Sequence, residues 1–232
     1  MNLLLLSNSR NPGLPYLAHA LDAIAETVGP WRRAWFVPYA GVTVPWDTYT
    51  ANVAAALAPL GITVAPAHTV DALEDHEVVL VGGGNTFHLL KHCRDRGLLP
   101  RIARHVRAGA PYIGWSAGSN LACPTIRTTN DMPIVDPGGF DALGFVDFQL
   151  NPHFNNELPA GHQGETREER LTEFVTANPD VEVLGVPEGD WLRVRGSEVR
   201  LEGPKPGRWI HAGAAPAAVD VGVLPGAFRV RQ

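Results

Sequence analysis

Short runs of consecutive apolar residues alternate, through the first half of the chain, with segments whose apolar residues recur every three or four positions. Residues 3–6 are four leucines ended by Ser7-Asn8-Ser9, a pattern that predicts a buried first strand. Over residues 14–28, Leu17, Leu21, Ile24 and Val28 have helical spacing. Residues 34–37 predict a second strand, stopped by Pro38, residues 46–60 a helix, and residues 62–64 a strand. Residues 77–81 read as a fully buried strand that runs straight into Gly82-Gly83-Gly84. Residues 86–99 and 102–106 are helical in pattern, residues 111–115 are another strand, and Ser116 opens a helix. Strands separated by helices need crossover connections. The expected fold is therefore α/β, a largely parallel sheet sandwiched by helices, in one domain over residues 1–232.

The last third reads differently. Residues 181–186, 191–194, 198–201 and 208–211 are short alternating runs broken by Gly or Pro, which predicts a small antiparallel C-terminal section at a sheet edge. Residues 124–144 are rich in Pro, Gly, Asp and Thr, and a loop of that length in a compact domain is often functional. This loop and residues 155–164 are candidate lids.

Composition narrows the function classes. With 45% hydrophobic and 19% charged residues, disordered and collagen-like chains are excluded. A net charge of −5 with no block of Lys or Arg argues against nucleic acid or an anionic membrane surface as partner. No stretch approaches the roughly 20 apolar residues that span a bilayer, and the first residues carry no basic leader. The only cysteines are Cys93 and Cys123; with no export signal, a cytoplasmic address and free thiols are expected.

Gly114-Trp115-Ser116-Ala117-Gly118 fits the pattern G-x-S-x-G, with a strand expected before it and a helix after it. A tight strand-to-helix turn needs small flanking residues. It lifts the serine hydroxyl clear of the sheet and points the next backbone N–H at a developing oxyanion. The bland alternative is a plain turn with a capping serine. A serine nucleophile needs a base, and His153, in Asn151-Pro152-His153-Phe154, follows the apolar run 145–150 at an expected strand end. His88 and His92 lie four apart on an expected helix, but no carboxylate or third histidine is patterned beside them, so packing is expected rather than a metal site. His162, in a Gly-rich loop, is expected to be solvated. No cofactor is expected.

Two carboxylates could orient the base: Glu188, in Pro187-Glu188-Gly189 after a strand, and Asp131, in the long loop. Sequence order does not choose between them. Gly82-Gly83-Gly84-Asn85-Thr86 misses the dinucleotide pattern because Phe87 takes its last position. An oxyanion loop fits better, with the N–H of Gly84 complementing that of Ala117.

Taken together, these residues resemble the peptidase E (α-aspartyl dipeptidase) family, nearly end to end. The likeness runs through residues 3–9, 38–43, 81–87, 114–137, 151–154, 161–170 and 187–189. The resemblance implies a fold related to class I glutamine amidotransferases, with serine at the elbow in place of cysteine, and hydrolysis of dipeptides that begin with aspartate. It makes Ser116 the nucleophile, His153 the base, Gly84 and Ala117 the oxyanion donors, and either Asp131 or Glu188 the third member. Glu188 is preferred because a strand end holds a carboxylate more rigidly than a long loop. Arg167 matches the residue expected to bind the substrate carboxylate, with Arg127 second. Ser119 departs from the alanine usual there. Small Asp-X peptides are the implied partners, and a homodimer is left open. The rivals are a cyanophycinase-like hydrolase of β-aspartyl bonds and an inactive binding module that keeps the elbow.

Overall fold

The computed structural model describes residues 1–232 apart from Asp71, Pro159, His162 and Gln232. The strands are β1 (Asn2–Leu6), β2 (Arg33–Val37), β3 (Thr63–Pro66), β4 (Glu77–Val81), β5 (Tyr112–Trp115), β6 (Gln149–Pro152), β7 (Val183–Val186), β8 (Trp191–Arg195), β9 (Glu198–Glu202), β10 (Gly207–Ile210), β11 (Ala217–Val219) and β12 (Gly222–Val223). The helices are α1 (Leu21–Val28), α2 (Trp46–Leu57), α3 (Thr86–Asp95), α4 (Leu98–Arg107), α5 (Ala117–Leu121) and α6 (Arg167–Ala177).

Eight strands form one sheet in the order β12-β9-β8-β1-β5-β4-β2-β3. The five strands from β1 to β3 in that order are mutually parallel, whereas β8, β9 and β12 extend the sheet antiparallel beyond β1. Alternation along the strands sorts their side chains onto two faces. Leu4, Leu6, Ala34, Phe36, Val78 and Leu80 pack with Ile24 of α1 and Val53 of α2. Leu3, Leu5, Trp35, Val37, Val79 and Val81 pack with Leu89 of α3, Ile102 of α4 and Leu184 of β7. The α/β sandwich of the sequence reading is thus present, antiparallel C-terminal strands included.

The second sheet is a correction to that reading. Residues 183–186 and 207–210 do not join the antiparallel edge. They lie in a separate four-stranded sheet, β11-β10-β7-β6, whose outer side is covered by Leu171 and Val175 of α6. The physical reason is the crossover: α6 connects β6 to β7, which lets those two strands run parallel. Helix limits differ too. The helix expected over residues 14–28 is instead a 3-10 turn over Ala18–Ala20, entered from a left-handed Leu17 (φ 60°), followed by α1 from Leu21. The helix expected over residues 86–99 is cut by Gly97 at φ 62°, which separates α3 from α4.

Three strands of the main sheet end together. Leu6 of β1 pairs with Trp115 of β5, and Gly114 of β5 with Val81 of β4. Ser7, Ser116 and Gly82 therefore emerge side by side at the carboxyl edge. In the second sheet, Pro152 of β6 pairs with Val186 of β7, so His153 and Pro187-Glu188 emerge together as well.

Candidate active site

The turn at Ser116 is strained: its backbone has φ 53° and ψ −111°, a region an L-residue enters at a cost of about 1–3 kcal/mol. The glycines around it are there for close approach. A Cβ on Gly114 would stand 2.5 Å from Gly118 O, and one on Gly118 would collide with Val81 O. The turn is held from several sides. Ser116 N–H donates to Leu6 O (3.0 Å), Tyr112 Oη to Gly118 O (2.7 Å), and Ser119 Oγ to Leu6 O (2.7 Å). Ser119 thus ties α5 to the end of β1. The Ser116 side chain makes no cap bond to its own helix, which leaves the hydroxyl for another partner.

That partner is His153. Its Nε2 lies 2.9 Å from Ser116 Oγ, and its Nδ1 lies 2.6 Å from Glu188 Oε1. With the proton on Nδ1 held by the carboxylate, Nε2 is free to accept from the hydroxyl. The imidazole and carboxylate are 38% and 51% exposed, so a small ligand reaches them without major opening. His153 also has positive φ, 55°. Its backbone N–H donates to Ser7 Oγ (2.8 Å), and Ser7 Oγ donates to Val186 O (2.8 Å). Next door, Gly189 N–H donates to Asn8 Oδ1 (2.9 Å). Ser7 and Asn8, read from sequence only as the end of a strand, therefore hold the backbone on both sides of the pair. Their position at the carboxyl end of a central parallel strand was the available signal.

Asp131 goes elsewhere. Its Oδ2 accepts from Thr86 N–H (2.7 Å), Thr86 Oγ1 (2.6 Å) and Thr129 Oγ1 (3.0 Å). A carboxylate at the first turn of α3 satisfies a free N–H and complements the helix dipole. The long loop is pinned further by Asn85 Nδ2 on Met132 O (2.9 Å) and Arg94 Nη1 on Gly138 O (2.6 Å).

Two cavities flank this arrangement. The first, about 680 Å³, is lined by Ser116, His153, Gly83 and Gly84, together with Arg10, Tyr16, Val42, Val44, Tyr49 and Ile134 among others. Gly84 (φ 133°) passes so close to Ala40 O that a Cβ would collide with it. Tyr49 Oη donates to Gly83 O (3.0 Å) and accepts from Trp115 Nε1 (3.0 Å), fixing the glycine loop against the elbow. Ala117, the first residue of α5, has an N–H without a helical acceptor.

The second cavity, about 470 Å³, is lined by Arg127, Arg167 and Arg170 with Asn130, Asp131, Asn151, Asn155 and others. Arg167 opens α6 behind a capping box of Thr166 and Glu169, and its Nη1 donates to His153 O (3.0 Å). Burial, and then Arg170 nearby, lower its pKa. Arg127 is more committed: it donates to Asn178 Oδ1 (2.9 Å) and lies over the Phe174 ring at 5.2 Å.

The remaining candidates lie apart. His88 and His92 contact each other through Nε2 (3.1 Å), while His88 Nδ1 bonds Tyr39 O and His92 Nδ1 bonds Arg96. Among the described residues no group of three His, Cys, Asp or Glu side chains is arranged to hold a metal, and no helix is long and apolar enough to cross a membrane. His162 lies outside the described residues. Cys93 and Cys123 are free and buried, and burial pushes both thiols up to about 12.

Comparison with known proteins matches the chain to a family. The profile of Peptidase family S51 matches residues 3–202. Peptidase E of Citrobacter koseri is 55% identical over 226 residues, 96% of this chain and 99% of that one. Peptidase E of Escherichia coli O1:K1 / APEC gives the same identity and coverage. Among solved structures, a candidate peptidase E from Listeria monocytogenes EGD-e superposes with TM-score 0.66 at 25% identity, covering 88% of this chain and 98% of its own. A peptidase from an acI-B1 Actinobacterium, 15% identical, shares the fold with TM-score 0.67 over 96% of each chain.

Proposed function

The chain belongs to peptidase family S51 and is a serine-type peptidase, and from that premise we propose that it is a dipeptidase that removes an N-terminal aspartate through an acyl-enzyme on Ser116. The observation that carries the reading is the continuous hydrogen-bonded line from Ser116 Oγ through His153 to Glu188. His153 Nε2 takes the hydroxyl proton as Oγ attacks the scissile carbonyl. The N–H groups of Gly84 and Ala117 receive the oxyanion. His153 then gives the proton to the leaving amine, and water enters by the same route in reverse to release aspartate. Glu188, rather than Asp131, holds the imidazole, since the Asp131 carboxylate is occupied at α3.

The protein is acidic overall, so a local cation must select an acidic side chain. Arg167 is the first choice, because it is half-buried and its backbone-bound guanidinium borders His153. Arg127 is second. A cytoplasmic address is part of the reading, supported by two unpaired, buried thiols.

The test is a peptide panel. Asp-Leu should be cleaved with kcat/KM at least about 10²-fold above Asn-Leu, because an Arg site left without its carboxylate loses a charge-assisted pair, and also above Glu-Leu, whose carboxylate stands one methylene too far out. N-blocked Asp-Leu and an isoaspartyl dipeptide should be poor substrates. Equal cleavage of Asp-Leu and Asn-Leu would remove the aspartate assignment, and preference for the isoaspartyl bond would favour the β-aspartyl rival.

A further inference from the structure

The first cavity has more to it than the reacting pair. The mechanism uses Ser116, His153 and the glycine loop on one wall. The rest of the lining includes the rings of Tyr16 and Tyr49 and the apolar side chains of Val42, Val44 and Ile134. Val42, Val44 and Ile134 are exposed, at 51%, 42% and 51%, so the cavity carries apolar side chains that a ligand could cover. One cation joins this lining: Arg10, on the loop just after Ser7-Asn8-Ser9. Its guanidinium lies 5.4 Å from the centre of the Tyr16 ring, an arrangement that holds the side chain without consuming its hydrogen-bond donors. Among the described residues no carboxylate lies within ion-pairing distance of it.

We propose that Arg10 binds the free carboxylate of the residue released by hydrolysis, whose apolar side chain packs on Tyr16, Val42, Val44, Tyr49 and Ile134. The proposal rests on the dipeptidase reading and adds its leaving-group side. A dipeptide differs from a longer substrate in one respect that a protein can read: a carboxylate stands one residue beyond the scissile bond. An arginine fork suits that group, and its place in the cavity that holds Ser116, rather than in the one with Arg127, Arg167 and Arg170, separates it from recognition of the aspartate side chain. The structure thus divides the two carboxylates of Asp-Leu between two arginine-bearing cavities.

The experiment compares Asp-Leu with its C-terminal amide in the wild type and in Arg10→Gln. Wild type should prefer Asp-Leu by roughly 10-fold or more, the scale of one charge-assisted contact at a part-exposed site. In Arg10→Gln that preference should fall to about 1, with turnover of the amide unchanged. An equal loss on both substrates would assign Arg10 to the aspartate side instead and overturn the proposal; so would no change on either. The apolar lining is read with Asp-Gly, which should be cleaved roughly 10-fold less efficiently than Asp-Leu; parity would overturn that half. If the wild type cleaved none of these, the dipeptidase reading would fail by itself. Calorimetry with leucine and leucinamide would still decide the pocket. Tighter binding of leucine, lost in Arg10→Gln, supports it, and equal binding of the two ligands to the wild type refutes it.

Discussion

The two cavities beside His153 share one short stretch of chain and have opposite chemistry. Asn151 and Asn155 line the arginine-bearing cavity, whereas His153 between them lines the apolar one. In an extended strand, residues two apart share a face. The left-handed backbone at His153 breaks that alternation and turns the imidazole toward Ser116. Local strain at one residue thus lets a single segment line two compartments, one holding Ser116 and one holding Arg127, Arg167 and Arg170. Ser7 stabilises the strained residue by taking its N–H.

Substitutions should separate the compartments by what they damage. The largest effect belongs to the reacting side: Ser116→Ala should lower kcat by about 10⁶-fold with an unchanged melting curve, as when a triad member is removed. Residual activity near wild type would remove Ser116 from the mechanism. Next is Glu188→Gln, expected to lower kcat by roughly 10⁴-fold through loss of the imidazole's orientation. If Asp131→Asn gave the larger kcat loss, the two acids would have to be exchanged. On the charge-reading side, Arg167→Met should cost about 10²-fold in kcat/KM for Asp-Leu and far less for Asn-Leu. A uniform drop on both would move Arg167 from substrate recognition to support of His153.

The smallest effects are on stability. Asp131→Asn should lower stability by about 1 kcal/mol, the scale of a weakened helix cap, with kcat retained; denaturant unfolding measures it. Asp190 gives a pH signature. Burial pushes this carboxyl up to about 6 from the ordinary 3.8, against the partial relief of a hydrogen bond from Lys205 N–H. Between those values the folded chain keeps a proton that the unfolded chain has lost, so stability should fall as pH rises through this window. Asp190→Asn should flatten the fall, with a gain over wild type at pH 8 on the order of 1 kcal/mol and none at pH 4. Melting curves at the two values check it.

The parallel half of the fold was legible because its strands are buried on both faces and read as continuous apolar runs: residues 77–81 became β4 without change. The second sheet was not, because β6, β7, β10 and β11 are three or four residues long and nothing local distinguishes joining an existing edge from founding a new sheet. Ser116, His153 and Glu188 stood out as residues at element ends. Ser7 and Asn8 act through backbone groups some 146 and 181 positions away, and Asp131 caps a helix that begins 45 residues earlier. Such partnerships have no trace in spacing. Arg10, exposed and outside any motif, is visible only once Tyr16 is seen beneath it.

The place of β1 sets the order in which the protein can come to life. In sequence β1 lies far from both its neighbours, β5 and β8, and its tip carries the two side chains that hold residues 153 and 189. During synthesis it must wait, unpaired on one edge, until β8, about 185 residues further along, has been made. A chain cut short before Trp191 should leave that edge of β1 unpaired and open to pairing with a strand of another chain.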